Sequence, residues 1–150
     1  MRLLIPPPVI LAIAALLMWL VARLFDGLNA AFPLQQTLVL LLVALGVGLM
    51  AASAHAFYRA RTTINPMTPD KASALITSGV YRLSRNPIYL ADALLLAAFA
   101  VWLGNGLCVP ILAGFIWYID RFQIRVEEHA LVNRFGAEYQ AYREAVRRWI

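Results

Sequence analysis

Charge is scarce in this 150-residue chain: 14% of its residues are charged, against 62% hydrophobic. A soluble domain of this size could not hide so much apolar surface, so the excess must face lipid. Cysteine is nearly absent as well. The one cysteine, Cys108, sits in an apolar run, which rules out a disulfide framework or a thiolate metal cluster within one chain. His55 and His129 are far apart and lack carboxylates at ligand spacing, so no metal site is expected. His55, beside Phe57 and Tyr58, reads as a packing residue at a helix end. Carboxylates are missing from the first two apolar runs, unlike a four-helix exporter with an ionisable group in an early span.

What is present is apolar sequence in long runs without alternation. The first, Val9 to Phe25, follows Pro6-Pro7-Pro8, which suits a helix start because proline lacks only a donor that would be unsatisfied there. The second, Leu34 to Phe57, carries Ala44, Gly48, Ala51 and Ala52 at helical spacing, a surface on which another helix can pack closely. The third and fourth, Pro87 to Leu103 and Leu107 to Ile119, are separated by Gly104-Asn105-Gly106. That turn makes them a tight hairpin. The expectation is one all-α, polytopic membrane domain with about four transmembrane helices near residues 5–25, 34–57, 87–103 and 107–120, a loop at 58–86 and a tail at 121–150.

The hairpin returns the chain to the face it left, so loop and tail share one side. Arg59, Arg61, Lys71, Arg82 and Arg85 lie in the loop, and six more arginines lie in the tail; only Arg23 lies opposite. The positive-inside rule places both segments and both termini in the cytoplasm. The +5 net charge follows from topology and anionic headgroups and calls for no nucleic acid.

Two cytoplasmic segments carry chemistry. The loop has prolines, Gly79 and the apolar Leu75, Ile76, Val80, Tyr81 and Leu83, too structured for a linker. It ends in Asn86-Pro87, an N-cap and first-position pair for the third helix. In the tail, helical periodicity from Asp120 to Phe135 lines up Asp120, Gln123, Glu127 and Arg134, and points Glu127 and Glu128 about 100° apart. Arg125 and Glu128 can then form a solvated pair, while Glu127, on the face of Ile124 and Leu131, is expected to be partly buried. Gly136 ends this helix. A second, Ala137 to Arg148, sets Tyr139, Tyr142, Val146 and Trp149 against Arg143, Arg147 and Arg148, as in a helix lying among headgroups and covering the site.

The run Gly79-Val80-Tyr81 through Arg85-Asn86-Pro87-Ile88-Tyr89, then Glu127-Glu128-His129-Ala130-Leu131 and Phe135-Gly136-Ala137-Glu138-Tyr139, resembles the G-x-Y-x-x-x-R-[HN]-P-x-Y and E-E-x-x-L…F-G-x-E-Y signature of the isoprenylcysteine carboxyl methyltransferase and phospholipid methyltransferase family. Both blocks in order, separated by a short hairpin, cover roughly the second half of the chain. The resemblance implies an integral membrane enzyme with a cytoplasmic pocket for S-adenosylmethionine, which leaves as S-adenosylhomocysteine. Carried over by position, Ser73, Ala74, Leu75 and Ile76 border the cofactor. Tyr81, Asn86, Pro87, Ile88 and Tyr89 add contacts, and Glu127 meets its ammonium. Three positions depart from the family pattern: Asn86 stands where many eukaryotic members have histidine, Ala91 where glycine is usual, and Gln123 near a substrate-associated arginine.

The acceptor implied is hydrophobic or lipid-like and presents a carboxylate, thiolate or amine from the bilayer. Arg121, Arg85 or Arg125 can orient an anionic acceptor, and Glu128 can take a proton from an amine. The expected location is a bacterial cytoplasmic membrane. Two rivals share the helical outline: a membrane reductase using a nicotinamide cofactor, and a non-catalytic membrane assembly or transport protein.

Overall fold

The structure is a computed structural model that describes residues 5–60 and 74–150. Within these residues the regular elements are helices: α1 (Pro7–Leu24), α2 (Gln35–Ala60), α3 (Pro87–Leu103), α4 (Cys108–Tyr118), α5 (Arg125–Phe135) and α6 (Ala137–Ala145). Short 3-10 turns occupy Asp26–Leu28 and Gly79–Arg82, and a π-helical turn, Ile119–Ile124, joins α4 to α5. The all-α expectation holds for this part of the chain.

α1 and α2, with 18 and 26 residues, are long and apolar enough to cross a membrane, and most of their surface is uncovered by the rest of the chain. Leu16, Leu17, Leu40, Leu41 and Leu45 all point outward. A soluble core helix buries such residues; these match a hydrocarbon environment instead. α3 is a shorter apolar helix of 17 residues and α4 has 11.

The connections at the two ends of the bundle differ. At one end the α1–α2 connection and the α3–α4 turn are tied together. Asn105 Nδ2 donates to Asn29 Oδ1 at 2.7 Å and to the Phe25 carbonyl at 3.0 Å. The Ala30 amide donates to the Gly104 carbonyl at 2.9 Å, and Gln35 Nε2 to the Val101 carbonyl at 2.7 Å. Gly104 closes α3 in the left-handed conformation at φ 67°, and a Cβ there would lie 2.5 Å from the Ala30 carbonyl oxygen. Glycine alone fits both demands. The Gly-Asn-Gly hairpin is therefore the predicted tight turn, and Asn105, 3% exposed, is the fastener that joins it to the first pair of helices.

At the other end, α4 runs into α5 without a break, through the π turn. This corrects the expected separate tail helix starting at Asp120. A π turn holds ~4.4 residues, so each residue rotates the chain by roughly 80° rather than 100°. Over the five steps from Asp120 to Arg125 the phase shifts by about 100°, which brings Asp120 into line with Glu128 and out of the stripe shared by Gln123 and Glu127. The second tail helix is also shorter than expected. It stops at Ala145, and Val146 is extended at φ −127° and ψ 134°, so residues 146–150 are a strap and not a last helical turn.

The core is apolar through its middle. Met18 from α1, Leu96 from α3, Cys108 and Phe115 from α4, and Ile119 and Ile124 from the π turn meet there. α2 packs chiefly on α3, where Gly46 of α2 faces Leu95: a Cβ at 46 would sit 2.9 Å from Leu95 Cγ and 3.3 Å from the Ala91 carbonyl oxygen. Overpacking such a seam costs roughly 1 to 3 kcal/mol. Gly46→Val is accordingly expected to lower the thermal unfolding temperature of the purified protein, whereas Gly48→Val, where a Cβ meets nothing within 4 Å, changes it little.

Candidate active site

The start of α3, the loop before it, the π turn, α5 and the strap converge at one end of the bundle. The two adjacent glutamates of α5 divide this region into two polar clusters.

Glu127 looks toward α3. Its Oε1 accepts hydrogen bonds from the Tyr89 hydroxyl and, at 2.8 Å, from Gln123 Nε2; its Oε2 takes part in no hydrogen bond among the described residues. Tyr89 is 6% exposed and belongs to the apolar core, so the hydroxyl that fixes Glu127 is delivered from the core. Tyr81 lies nearby, buried edge-on against Phe57 of α2 at 5.8 Å between ring centroids. The buried Ser53 of α2 and the charge of Glu127 both act on its hydroxyl. Burial pushes the Glu127 carboxyl up to about 7, against the pull of the Tyr89 and Gln123 hydrogen bonds, with the charge of Glu128 adding to the push. A half-buried carboxylate pushed up to about 7, with one oxygen unbonded among the described residues, is suited to receive a cation.

Glu128 looks the other way and is 7% exposed. Arg148 from the strap grips it with two nitrogens, Nη2 to Oε2 at 2.7 Å and Nε to Oε1 at 3.1 Å. Arg85 Nη2 reaches the same Oε1 at 3.1 Å. Arg148 Nη1 also lies 3.2 Å from both oxygens of Asp120, and Trp149 Nε1 donates to Asp120 Oδ1 at 3.2 Å. Two arginines and two carboxylates thus balance, as desolvated charges must. Arg85 is only half used: its side chain is 9% exposed, and its Nε and Nη1 are buried without a well-aligned hydrogen-bond partner among the described residues, the buried Tyr139 being their neighbour. Leaving such donors unmet costs about 1 to 3 kcal/mol each, a cost an anionic ligand would remove.

The expected Arg125–Glu128 pair does not form. Arg125 is exposed and approaches Asp120 at 4.0 Å, because the π turn has moved Asp120 toward it and Arg85 and Arg148 have taken Glu128. Nor does the Asn86 side chain cap α3. It donates instead to the Arg148 carbonyl at 3.0 Å, alongside Ser84 Oγ at 3.3 Å and the Arg85 amide, which donates to the Arg147 carbonyl at 3.0 Å.

Of the other sequence candidates, Pro87 is buried at the first position of α3 and Ile88 is half-buried beside it. Ala74 and Leu75 are half-buried and Ile76 is buried in the extended segment before the 3-10 turn. Ser73 lies outside the described residues. Arg121 is exposed and joins neither cluster among the described residues. Arg148, Asp120 and Ser84 escaped the sequence reading. Periodicity assigned Arg148 to a headgroup face, and only the end of α6 three residues earlier, which no turn residue marks, sends it inward. Among the described residues no group of His, Cys, Asp and Glu could hold a metal.

The sequence profile of the phospholipid methyltransferase family matches residues 34–138, a stretch that includes both clusters except the strap. The chain belongs to the phospholipid methyltransferase family. Family relatives include the protein-S-isoprenylcysteine O-methyltransferases of Saccharomyces cerevisiae, 31% identical over 79% of this chain and 49% of that one, and of Mus musculus, 32% identical over 71% and 38%. An uncharacterized protein of Haemophilus influenzae is 44% identical over 42% of this chain and all of its own length. The chain therefore spans half or less of these two methyltransferases. No solved structure matches it.

The raised Glu127 gives a pH signature. Between its ordinary 4.5 and about 7 the folded chain keeps a proton that the unfolded chain has lost. Stability therefore falls as pH rises through that window and levels off above it, with a slope approaching about 1.4 kcal/mol per pH unit. Thermal unfolding of wild type and Glu127→Gln from pH 4.5 to 8 is expected to show the variant without this part of the slope.

Proposed function

We propose that the chain is an S-adenosylmethionine-dependent methyltransferase of the membrane that acts on a hydrophobic or lipid-like acceptor. The observation that carries this reading is the Oε2 of Glu127, unbonded among the described residues, on a carboxylate held by Tyr89 and Gln123 at the strap end of the bundle. The donor's ammonium is the cation such an oxygen suits, and family membership supplies the chemistry. The bound donor offers an electrophilic methyl carbon on its sulfonium. The protein's part is to hold that carbon in line with the acceptor and keep water out. Tyr81, Tyr89, Asn86, Pro87 and Ile88 form the walls from the loop and α3, with Ser73, Ala74, Leu75 and Ile76 contributing the preceding border.

Arg85 orients the acceptor's anionic group through its two unmet donors, a role for which its planar fork is suited. Glu128 sets the guanidinium in place and can take a proton from an amine acceptor. Arg121 stays a secondary candidate at the surface. The α3–α4 turn is bonded to the α1–α2 connection, so α3 and α4 traverse the same thickness as α1; this supports four spans, with loop and tail in the cytoplasm of a bacterial inner membrane. A reductase with a nicotinamide cofactor is the rival this reading disfavours: a pyrophosphate suits Arg85 but not the open carboxylate oxygen of Glu127.

Isothermal titration of the purified protein with S-adenosylmethionine tests the assignment. A buried charge-assisted hydrogen bond contributes roughly 1.5 to 3 kcal/mol, so Glu127→Gln is expected to weaken the donor by about tenfold to a hundredfold or more. Wild-type affinity is expected to rise from pH 5.5 to 7 as Glu127 ionises. Glu128→Gln is expected to bind the donor almost normally and to lose acceptor use. A larger loss of donor affinity in Glu128→Gln would reverse the two roles.

A further inference from the structure

The strap at residues 146–150 is held by more than its length requires. Its carbonyls at 147 and 148 accept hydrogen bonds from the Arg85 amide, Ser84 Oγ and Asn86 Nδ2, so its backbone lies along the segment that opens α3. Its Arg148 bridges Glu128 and Asp120, and its Trp149 bonds Asp120 while packing on the apolar core. Arg148 and Arg85 share one oxygen of Glu128, each at 3.1 Å, which makes the two guanidinium groups immediate neighbours. Meanwhile Arg85 Nε and Nη1 are buried and meet no well-aligned hydrogen-bond partner among the described residues, with the buried Tyr139 of α6 beside the guanidinium. A carboxylate needs to come within about 2.9 Å of such donors to bind them, and with the strap docked both donors are buried.

We propose that the strap is a gate over Arg85: Arg148 holds it shut through Glu128 and Asp120, and it must lift before an anionic lipid-like acceptor can reach the unmet donors. This rests on the reading of Arg85 as the acceptor-orienting residue. The gate competes with the acceptor. While the strap is down, Arg85 is fixed by Glu128 but unavailable, and the apparent affinity for the anion is reduced by the fraction of molecules that are open. Weakening Arg148 raises that fraction without touching Arg85 itself.

The test uses the full-length protein in detergent, with Arg148→Gln, Arg148→Lys and Arg85→Gln beside wild type. Hydrogen exchange reads the gate directly, because the Arg85 amide is protected by the Arg147 carbonyl. Arg148→Gln is expected to exchange faster at residues 84–86, with the α2–α3 seam unchanged. Titration with dodecanoate, a plain lipid carboxylate, is expected to show about five- to tenfold tighter binding in Arg148→Gln, an intermediate gain in Arg148→Lys and a loss in Arg85→Gln. Methyl dodecanoate, which lacks the charge, should not distinguish the first two variants from wild type. Unchanged exchange in Arg148→Gln would overturn the latch, and faster exchange with equal or weaker dodecanoate binding would show a support and not a gate. Absence of S-adenosylmethionine binding would instead defeat the methyltransferase reading and leave these two readouts standing.

Discussion

A carboxylate withdrawn from water has to find cations or donors within the fold, and Glu128 finds Arg85 on one side and Arg148 on the other. These are residues from three different parts of the chain: the loop before α3, helix α5 and the strap after α6. Without the pairing, α5 would be tied to the start of α3 by the Tyr89–Glu127 hydrogen bond, and the strap would be held by its backbone bonds, Trp149 and the Arg148–Asp120 bridge. With it, this whole end of the bundle closes around one charge-balanced cluster. Breaking such a buried pair by removing one partner is commonly worth 3 to 5 kcal/mol, an upper bound here because the Arg148 side chain is still 30% exposed.

The neighbouring Glu127 depends on that arrangement. Once Glu128 is fixed toward Arg85 and Arg148, helix geometry leaves Glu127 pointing to Tyr89, a core residue whose hydroxyl reaches out of the apolar interior. One glutamate is thus charge-balanced by two arginines, and the other is held by neutral donors, its Oε2 unbonded among the described residues. The two carboxylates stand next to each other in sequence and differ in every interaction that sets their chemistry.

Much of this was legible in the residues. The apolar runs, the glycine-flanked turn at Asn105, proline at the start of α3 and the divergence of Glu127 from Glu128 all follow from local rules, and the structure bears them out. What was not legible depended on departures from regular geometry. The π turn at 119–124 cannot be read from α-helical periodicity, so Asp120 was assigned to the stripe of Glu127 when it lies with Glu128. Asn86 fits an N-cap by residue type and position, yet its side chain is taken by the strap. Arg148 looked like a headgroup arginine because the end of α6 at Ala145 carries no glycine or proline to mark it. In each case a tertiary partner or a helix irregularity outweighed a local preference, and the partners of Arg148 and Asn86 lie 20 to 62 residues away.

The central claim is that this polar cluster serves methyl transfer. The most direct measurement is to incubate the purified protein in lipid vesicles with methyl-labelled S-adenosylmethionine and a total lipid extract, then follow label into the organic phase. The account predicts protein-dependent transfer that falls sharply in Glu127→Gln; label released as methanol by mild base would mark a carboxylate acceptor, and base-stable label an amine or thiol. Failure of the wild-type protein both to bind the donor and to label any component of the extract would contradict it.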